Sequence, residues 1–159
     1  HGPKTPAEVR ECMEDADIYL ITSDRQEGWG AVLNEAMNSG CAVIANHMIG
    51  AAPYMISQGK NGLLYKDGDK QMLFSSVEKL LRDREFTKTL GKAGYETVTA
   101  LWNPHVAAKR LVGLAIRLGF LKSGDALEVT DWQEIPEEGP CSITPVIPER
   151  IMWNKLTKR

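Results

Sequence analysis

Two runs of consecutive apolar residues, Ile18-Tyr19-Leu20-Ile21 and Cys41-Ala42-Val43-Ile44-Ala45, constrain this chain more than anything else in it. Neither run alternates with polar residues. Each therefore reads as a strand covered on both faces, not one with a wet side. Between them lie a polar loop from Asp24 to Gly30 and a helical stripe of Val32, Leu33, Ala36 and Met37, closed by Gly40. Strand, loop, helix and strand in that order form a βαβ unit, and a βαβ unit implies a parallel sheet.

The flanking segments extend this pattern. Thr5-Pro6-Ala7-Glu8 carries a capping residue, a proline at the first helical position and a glutamate three residues after the cap. A helix is expected from there to about Asp15. Beyond the second strand come a loop through Gly50 and Pro53, a turn at Asn61-Gly62 and a short strand at Leu63-Leu64-Tyr65. Three helical stripes follow: Leu73, Val77, Leu80 and Leu81; a weaker one of Phe86, Leu90, Ala93 and Thr97; and Ala107, Leu111, Leu114, Ala115 and Leu118, opened by Asn103-Pro104. After Lys122 the helical period is lost to Gly124, Pro136, Gly139, Pro140, Pro145 and Pro148, which exclude a regular helix or central strand. Trp132, Ile143, Val146, Ile147 and Trp153 make that stretch too apolar for a free linker. The expected division is a Rossmann-like domain over 1–120 and an extended C-terminal arm over 121–159.

Composition excludes several function classes. With 159 residues, 43% hydrophobic and 25% charged, the chain is neither disordered nor fibrous, and is long enough for one core. A net charge of −2 gives no electrostatic footprint for nucleic acid. No run approaches the roughly 20 apolar residues of a membrane span. Cys12, Cys41 and Cys141 have neither metal-ligand spacing nor the density of a disulfide scaffold, so reduced thiols in a cytoplasmic protein are expected. The opening His1-Gly2-Pro3, with no methionine and no signal segment, reads as a piece cut from a longer protein.

The chemistry is expected in Glu27-Gly28-Trp29-Gly30-Ala31-Val32-Leu33-Asn34-Glu35. This segment places a glycine-punctuated loop between a strand's carboxyl end and a helix's amino end, where open parallel sheets bind ligands. Gly28 and Gly30 allow the backbone to approach an anion closely. Glu27 sits at the mouth and Glu35 more than one turn into the helix, where a carboxylate can accept hydrogen bonds from two vicinal hydroxyls of a ribose or sugar. A solvated glutamate and a simple turn glycine are the plainer readings of the same residues, and spacing alone does not decide between them. Trp29 serves equally as a sugar platform or a packing anchor. His47, after the second strand, and His105, in the last cap, read as local structure. Lys155, Lys158 and Arg159 beside Trp153 form a small basic tip. Each charge is worth about 1 kcal/mol at an anionic surface. A solvated tail end is the plainer reading there, and peripheral membrane contact of the parent protein the other.

Glu27 and Glu35 stand in an E-x7-E spacing, and with the surrounding runs they resemble the retaining glycosyltransferases of family 4, whose fold is the two-Rossmann-domain GT-B fold. Ala16-Asp17-Ile18-Tyr19-Leu20 resembles the family's strand before the loop, and Glu27-Gly28-Trp29-Gly30 its EGFG or EGWG loop. Glu35 to Ala45 resembles its EAM-x-x-G-x-P-V-I-A run, and Asn61-Gly62-Leu63-Leu64 its NGLL strand. Trp102 lies where the family often has an aromatic residue. The resemblance covers about residues 1–118. It implies the C-terminal, donor-binding half of the enzyme: an α/β three-layer Rossmann-like sandwich with a short parallel sheet.

The resemblance further implies that Glu35 holds the donor ribose and that Glu27 faces the transferred sugar as the catalytic residue. The backbone around Gly28, Trp29, Gly30 and Ala31 would meet the sugar or diphosphate. The co-substrate would be a UDP- or GDP-linked sugar, with no other cofactor and no metal. A hexosyl group would pass with retention to a saccharide, lipid-linked or polymer-linked acceptor, as in cell envelope polysaccharide synthesis, and the acceptor would be held by an N-terminal domain. The isolated chain would be inactive. Three departures stand out. Ala42 replaces a common proline, and Gly50-Ala51-Ala52-Pro53-Tyr54 puts tyrosine where a carboxylate is usual. The arginine and lysine that neutralise the diphosphate lie upstream in family members, and Lys4 and Arg10 do not replace them. Two alternatives remain: a non-catalytic nucleotide-sugar-binding or scaffold module of the same fold, and a nucleotide-sugar epimerase of related architecture, against which the E-x7-E run argues.

Overall fold

The structure, a computed structural model, describes residues 2–121. The elements are α1 (Pro6–Glu14), β1 (Ile18–Ile21), α2 (Ala31–Asn38), β2 (Ala42–Asn46), α3 (Ala52–Met55), β3 (Leu63–Tyr65), α4 (Lys70–Arg82), α5 (Arg84–Leu101) and α6 (Pro104–Arg117). The expected arm at 121–159, with Trp132, Trp153, the basic tip and Cys141, falls outside the described residues apart from Leu121.

All three strands are parallel, in the order β1-β2-β3. Ile18 pairs with Ala42 and Ile21 with Ala45; Ile44 pairs with Leu63 and Asn46 with Tyr65. Successive side chains point to opposite faces, so the sheet feeds two cores. Val43, Ala45 and Leu64 pack with Leu33, Ala36 and Met37 of α2, Met55 of α3 and Val98 of α5. Ala42, Ile44, Leu63 and Tyr65 pack with Leu80 of α4 and Leu90 of α5. Helices on both faces of a short parallel sheet give the expected three-layer Rossmann-like sandwich.

The capping box at Thr5 forms as its sequence requires: the Glu8 carboxylate accepts from the Thr5 amide at 2.7 Å, and the Glu8 amide donates to the Thr5 hydroxyl at 3.3 Å. The first strand differs from expectation. Ala42–Asn46 is buried throughout, but Leu20 on β1 is 45% exposed. The helices centre on β2 and β3, and among the described residues β1 is an edge strand whose Leu20 is only partly covered.

The weak stripe on α5 also has a physical reason. Its buried residues are Thr87, Leu90, Gly91, Gly94 and Val98, so two glycines do the packing that the apolar count misses. A Cβ on Gly91 would stand 2.2 Å from the Gly40 carbonyl oxygen. The last stripe is corrected outright. Leu111, Leu114 and Leu118 are exposed, no residue of α6 is buried, and its half-buried face includes Val106, Gly113 and Ile116.

Cys12 is exposed and Cys41 buried, both as free thiols. The Cys41 thiol donates to the Met13 carbonyl at 3.0 Å, and burial, then the charge of Asp17, pushes its pKa above the ordinary 9.0. Burial also raises Tyr65, with a smaller push from Asp67. A raised folded pKa favours the neutral form, so the stabilisation is complete below the unfolded value and is lost as pH rises toward the folded one. The thermal midpoint is therefore expected to be level near neutrality and to fall above about pH 9, with a shallower fall in Cys41→Ser. A wild-type midpoint that stays level to pH 10.5 would contradict this.

Candidate functional site

The carboxyl end of β1 runs into a loop whose shape is set by short-range bonds. The Asp24 carboxylate accepts from the Gln26 amide at 2.8 Å and starts a single 3-10 turn, Arg25–Glu27. Glu27 ends that turn, exposed to solvent. Gly28 and Gly30 follow at φ +68° and +80°, a region that disfavours other residues. Gly30 is the N-cap of α2 and supplies no side-chain cap, while its carbonyl accepts from the Leu33 amide at 3.0 Å. The positive end of the helix dipole therefore lies at the loop.

The loop after β2 braces this one. The Gly50 amide donates to the Gly28 carbonyl and the Ala51 amide to the Trp29 carbonyl, each at 2.8 Å. Gly50 has to be glycine for this contact, since a Cβ there would lie 2.3 Å from the Gly28 oxygen. Trp29, 48% exposed, is flanked by Tyr54 of α3 and by Trp102 at the end of α5, with ring centroids 6.1 and 5.9 Å away.

Glu35 lies on the exposed side of α2, beyond its first turn. Tyr19 on β1 links it with Glu27: the phenol is pushed above its usual value by burial first, then by the charges of Cys41, Glu35 and Glu27. Both carboxylates therefore lie near enough to act on the same phenol through their charge. Around the ends of β2 and β3, the Asn46 side chain donates to the Asp67 carboxylate at 2.8 Å, and the Asp67 amide donates to His47 Nδ1 at 3.0 Å. His47 is buried and held in the fold, in keeping with the local-structure reading.

The carboxyl end of β1 thus leads into Glu27, Gly28, Trp29, Gly30 and Ala31, and Glu35 follows on the exposed side of α2. Arg10 is on α1, bonded to Glu14 at 2.7 Å. Tyr19, Asn34, Gly50 and Trp102 join the expected site residues. Asn34 lies within the expected segment, Gly50 in the glycine-containing loop singled out above, Tyr19 in the first apolar run, and Trp102 at the family's aromatic position. Asp-x-Asp spacings occur at Asp15-Ala16-Asp17 and Asp67-Gly68-Asp69, but Asp67 is engaged by Asn46 and Asp69 caps α4. Among the described residues no group of three or more His, Cys, Asp or Glu is gathered to hold a metal ion. A cleft of about 330 Å3 lined by Asp17, Ser39, Lys88, Lys92 and Tyr95 opens at the opposite, amino end of the strands.

The carboxyl end of a parallel α/β sheet, where a glycine loop leads into a helix start, is where such folds bind their ligands. Comparison with known proteins makes that class specific. The sequence profile described as "Glycosyl transferases group 1" matches residues 1–97, and the chain belongs to that family. It is 35% identical over 100 residues, 63% of this chain and 24% of the relative, to a GDP-mannose-dependent alpha-(1-6)-phosphatidylinositol monomannoside mannosyltransferase of Mycobacterium tuberculosis. It is 34% identical over 92 residues, 56% of this chain and 18% of the relative, to a sulfoquinovosyl transferase of Arabidopsis thaliana.

Among solved structures, the C-terminal domain of a glycosyl transferase group 1 family protein, LpcC, from Francisella tularensis superposes with TM-score 0.60 at 29% identity. That match covers 65% of this chain and 52% of the other. Anabaena HepE in complex with UDP superposes with TM-score 0.63 at 25% identity, covering 72% and 30%. The fold is that of a GT-B glycosyltransferase C-terminal domain. The chain spans about a quarter or less of these two curated relatives. Among the described residues, no helix is long and apolar enough to cross a membrane.

Proposed function

We propose that residues 1–120 form the donor-binding domain of a larger retaining glycosyltransferase and bind a UDP- or GDP-linked sugar. The observation that carries the reading is the arrangement at the carboxyl end of β1: a loop with two glycines at positive φ runs into a helix start without a side-chain cap, with an exposed Glu27 before it and an exposed Glu35 after it. Glu35 accepts hydrogen bonds from the two ribose hydroxyls. The amides around Gly28, Trp29, Gly30 and Ala31 take the diphosphate or the sugar, where the start of α2 stabilises negative charge on the leaving group. Glu27 lies beside the transferred hexosyl group, and its carboxylate favours the positive charge that develops on the sugar ring.

The relative that depends on GDP-mannose and the HepE structure holding UDP support a nucleotide-linked donor. The acceptor is a saccharide or a lipid- or polymer-linked saccharide held by a preceding domain, a reading supported by the relative that acts on phosphatidylinositol monomannoside. The reaction takes place in the cytoplasm, with peripheral membrane contact where the acceptor is lipid-linked.

Glu35 is the sharpest test. It is exposed and outside both cores, so Glu35→Ala should leave the fold intact. Two charge-assisted hydrogen bonds are worth about 1.5–3 kcal/mol each, so nucleotide affinity is expected to fall at least about tenfold. Unchanged affinity by calorimetry in a folded variant would remove Glu35 from the site.

A further inference from the structure

We infer that Tyr54 and Trp102 are positioning residues that clamp Trp29 and hold the glycine loop in its binding shape before any ligand arrives. The inference rests on the donor-binding reading of that loop for its consequence, but not for its geometry.

Three segments distant in sequence meet on one indole. Tyr54 of α3 stacks on Trp29 with an interplanar angle of 28° and a centroid distance of 6.1 Å. Trp102 meets it at 5.9 Å and 46°, a tilted contact of the kind aromatic quadrupoles favour. Neither flanking ring is loose. Tyr54 belongs to the short α3, whose Ala52, Pro53 and Met55 are all buried. Trp102 is half-buried against the larger core, and its carbonyl accepts from the Asn34 side chain of α2 at 3.1 Å. That carbonyl lies at the C-cap of α5, where the helix supplies no partner, so Asn34 ties the end of α5 to the helix that carries Glu35.

The loop needs such a clamp. Trp29 stands between Gly28 and Gly30, both at positive φ, and glycine is the residue that loses most backbone freedom on ordering. Two hydrogen bonds, donated by the Gly50 and Ala51 amides, hold the Gly28 and Trp29 carbonyls. The indole, in contact with two rings and with 48% of its surface still open, adds a side-chain anchor to that backbone brace. A loop ordered in advance does not spend ligand affinity on its own ordering.

The test compares Tyr54→Ala, Trp102→Ala and Asn34→Ala with the conservative Tyr54→Phe and Trp102→Phe. Two readouts are taken: hydrogen exchange of the Gly28, Trp29 and Gly30 amides without ligand, and affinity for a sugar nucleotide (UDP-glucose or GDP-mannose) against the matching nucleoside monophosphate. The alanine variants are expected to speed exchange at the loop and weaken the sugar nucleotide about three- to tenfold, the range of one aromatic pair. Monophosphate affinity, set at Glu35, is expected to stay within about twofold, and the phenylalanine variants to restore both readouts.

Loop exchange unchanged in Tyr54→Ala and Trp102→Ala would overturn the inference, as would an equal loss for both ligands or no rescue by phenylalanine. If the wild type binds neither ligand, the donor reading fails, and loop exchange alone still supports or overturns the clamp. Should Trp102→Ala not fold, Tyr54→Ala and Asn34→Ala decide.

Discussion

Gly91→Ala is expected to destabilise the protein by about 2 kcal/mol, although alanine is the better helix former. Two effects oppose each other. In an exposed helix interior the change gains about 1 kcal/mol of propensity. Here the new Cβ would stand 2.2 Å from the Gly40 carbonyl oxygen and 3.2 Å from the Ala42 amide nitrogen, and both are backbone atoms. The Gly40 carbonyl cannot swing aside cheaply. It belongs to a Schellman turn in which the Gly40 amide donates to Met37 and the Cys41 amide to Ala36, each at 3.1 Å. The helix has to move instead and loosen Leu90 and Val98 in the two cores. Overpacking of this kind costs about 1–3 kcal/mol or more, and it outweighs the propensity gain. The midpoint should drop by several degrees, about 3 °C for each kcal/mol at this size. Gly94→Ala, whose nearest neighbour would be 3.2 Å away, should lose much less. Equal or raised stability in Gly91→Ala would mean that α5 does not sit against the α2–β2 turn.

The second large effect falls on binding. Gly50→Ala would put a Cβ 2.3 Å from the Gly28 oxygen and 3.0 Å from the Trp29 Cα, in the contact that braces the two loops. Ile49 and Ala51 on either side are fully buried, while Gly28 and Trp29 are exposed. The exposed loop therefore yields, and the two 2.8 Å bonds to it are lost. Stability is expected to fall by about 1 kcal/mol, the net worth of a typical hydrogen bond or so. Sugar-nucleotide affinity is expected to fall tenfold or more, because a displacement near 1 Å in a positioning element costs about that much or more. A variant with lost stability and intact affinity would reverse the assignment, making the brace structural.

How far the sequence reveals these features follows from which forces are local. The βαβ unit is legible because two unbroken apolar runs and a helical stripe closed by Gly40 declare themselves within a few residues. The loop residues from Glu27 to Glu35 are legible because glycine spacing and acidic residues sit in one short segment. What escapes depends on distant neighbours. The packed face of α5 uses Gly91 and Gly94, which carry no apolar signal until the Gly40 turn and Asn61 are placed against them. The exposure of Leu111, Leu118 and Leu20 is likewise a matter of what lies over them and not of their own pattern. The clamp on Trp29 joins residues 54 and 102, and only the fold brings those rings together.

The central claim is that this end of the sheet grips a nucleotide sugar through Glu35. Its most direct test is a titration of UDP, GDP, ADP and their sugar conjugates, followed by NMR or thermal shift. It is run on this chain, on the full-length protein and on Glu35→Gln of each. The account predicts a saturable, base-selective response in the wild type that Glu35→Gln loses, with shifts centred on the Gly28–Ala31 amides. No response to any of these ligands in the full-length protein, or an equal response in Glu35→Gln, would contradict it.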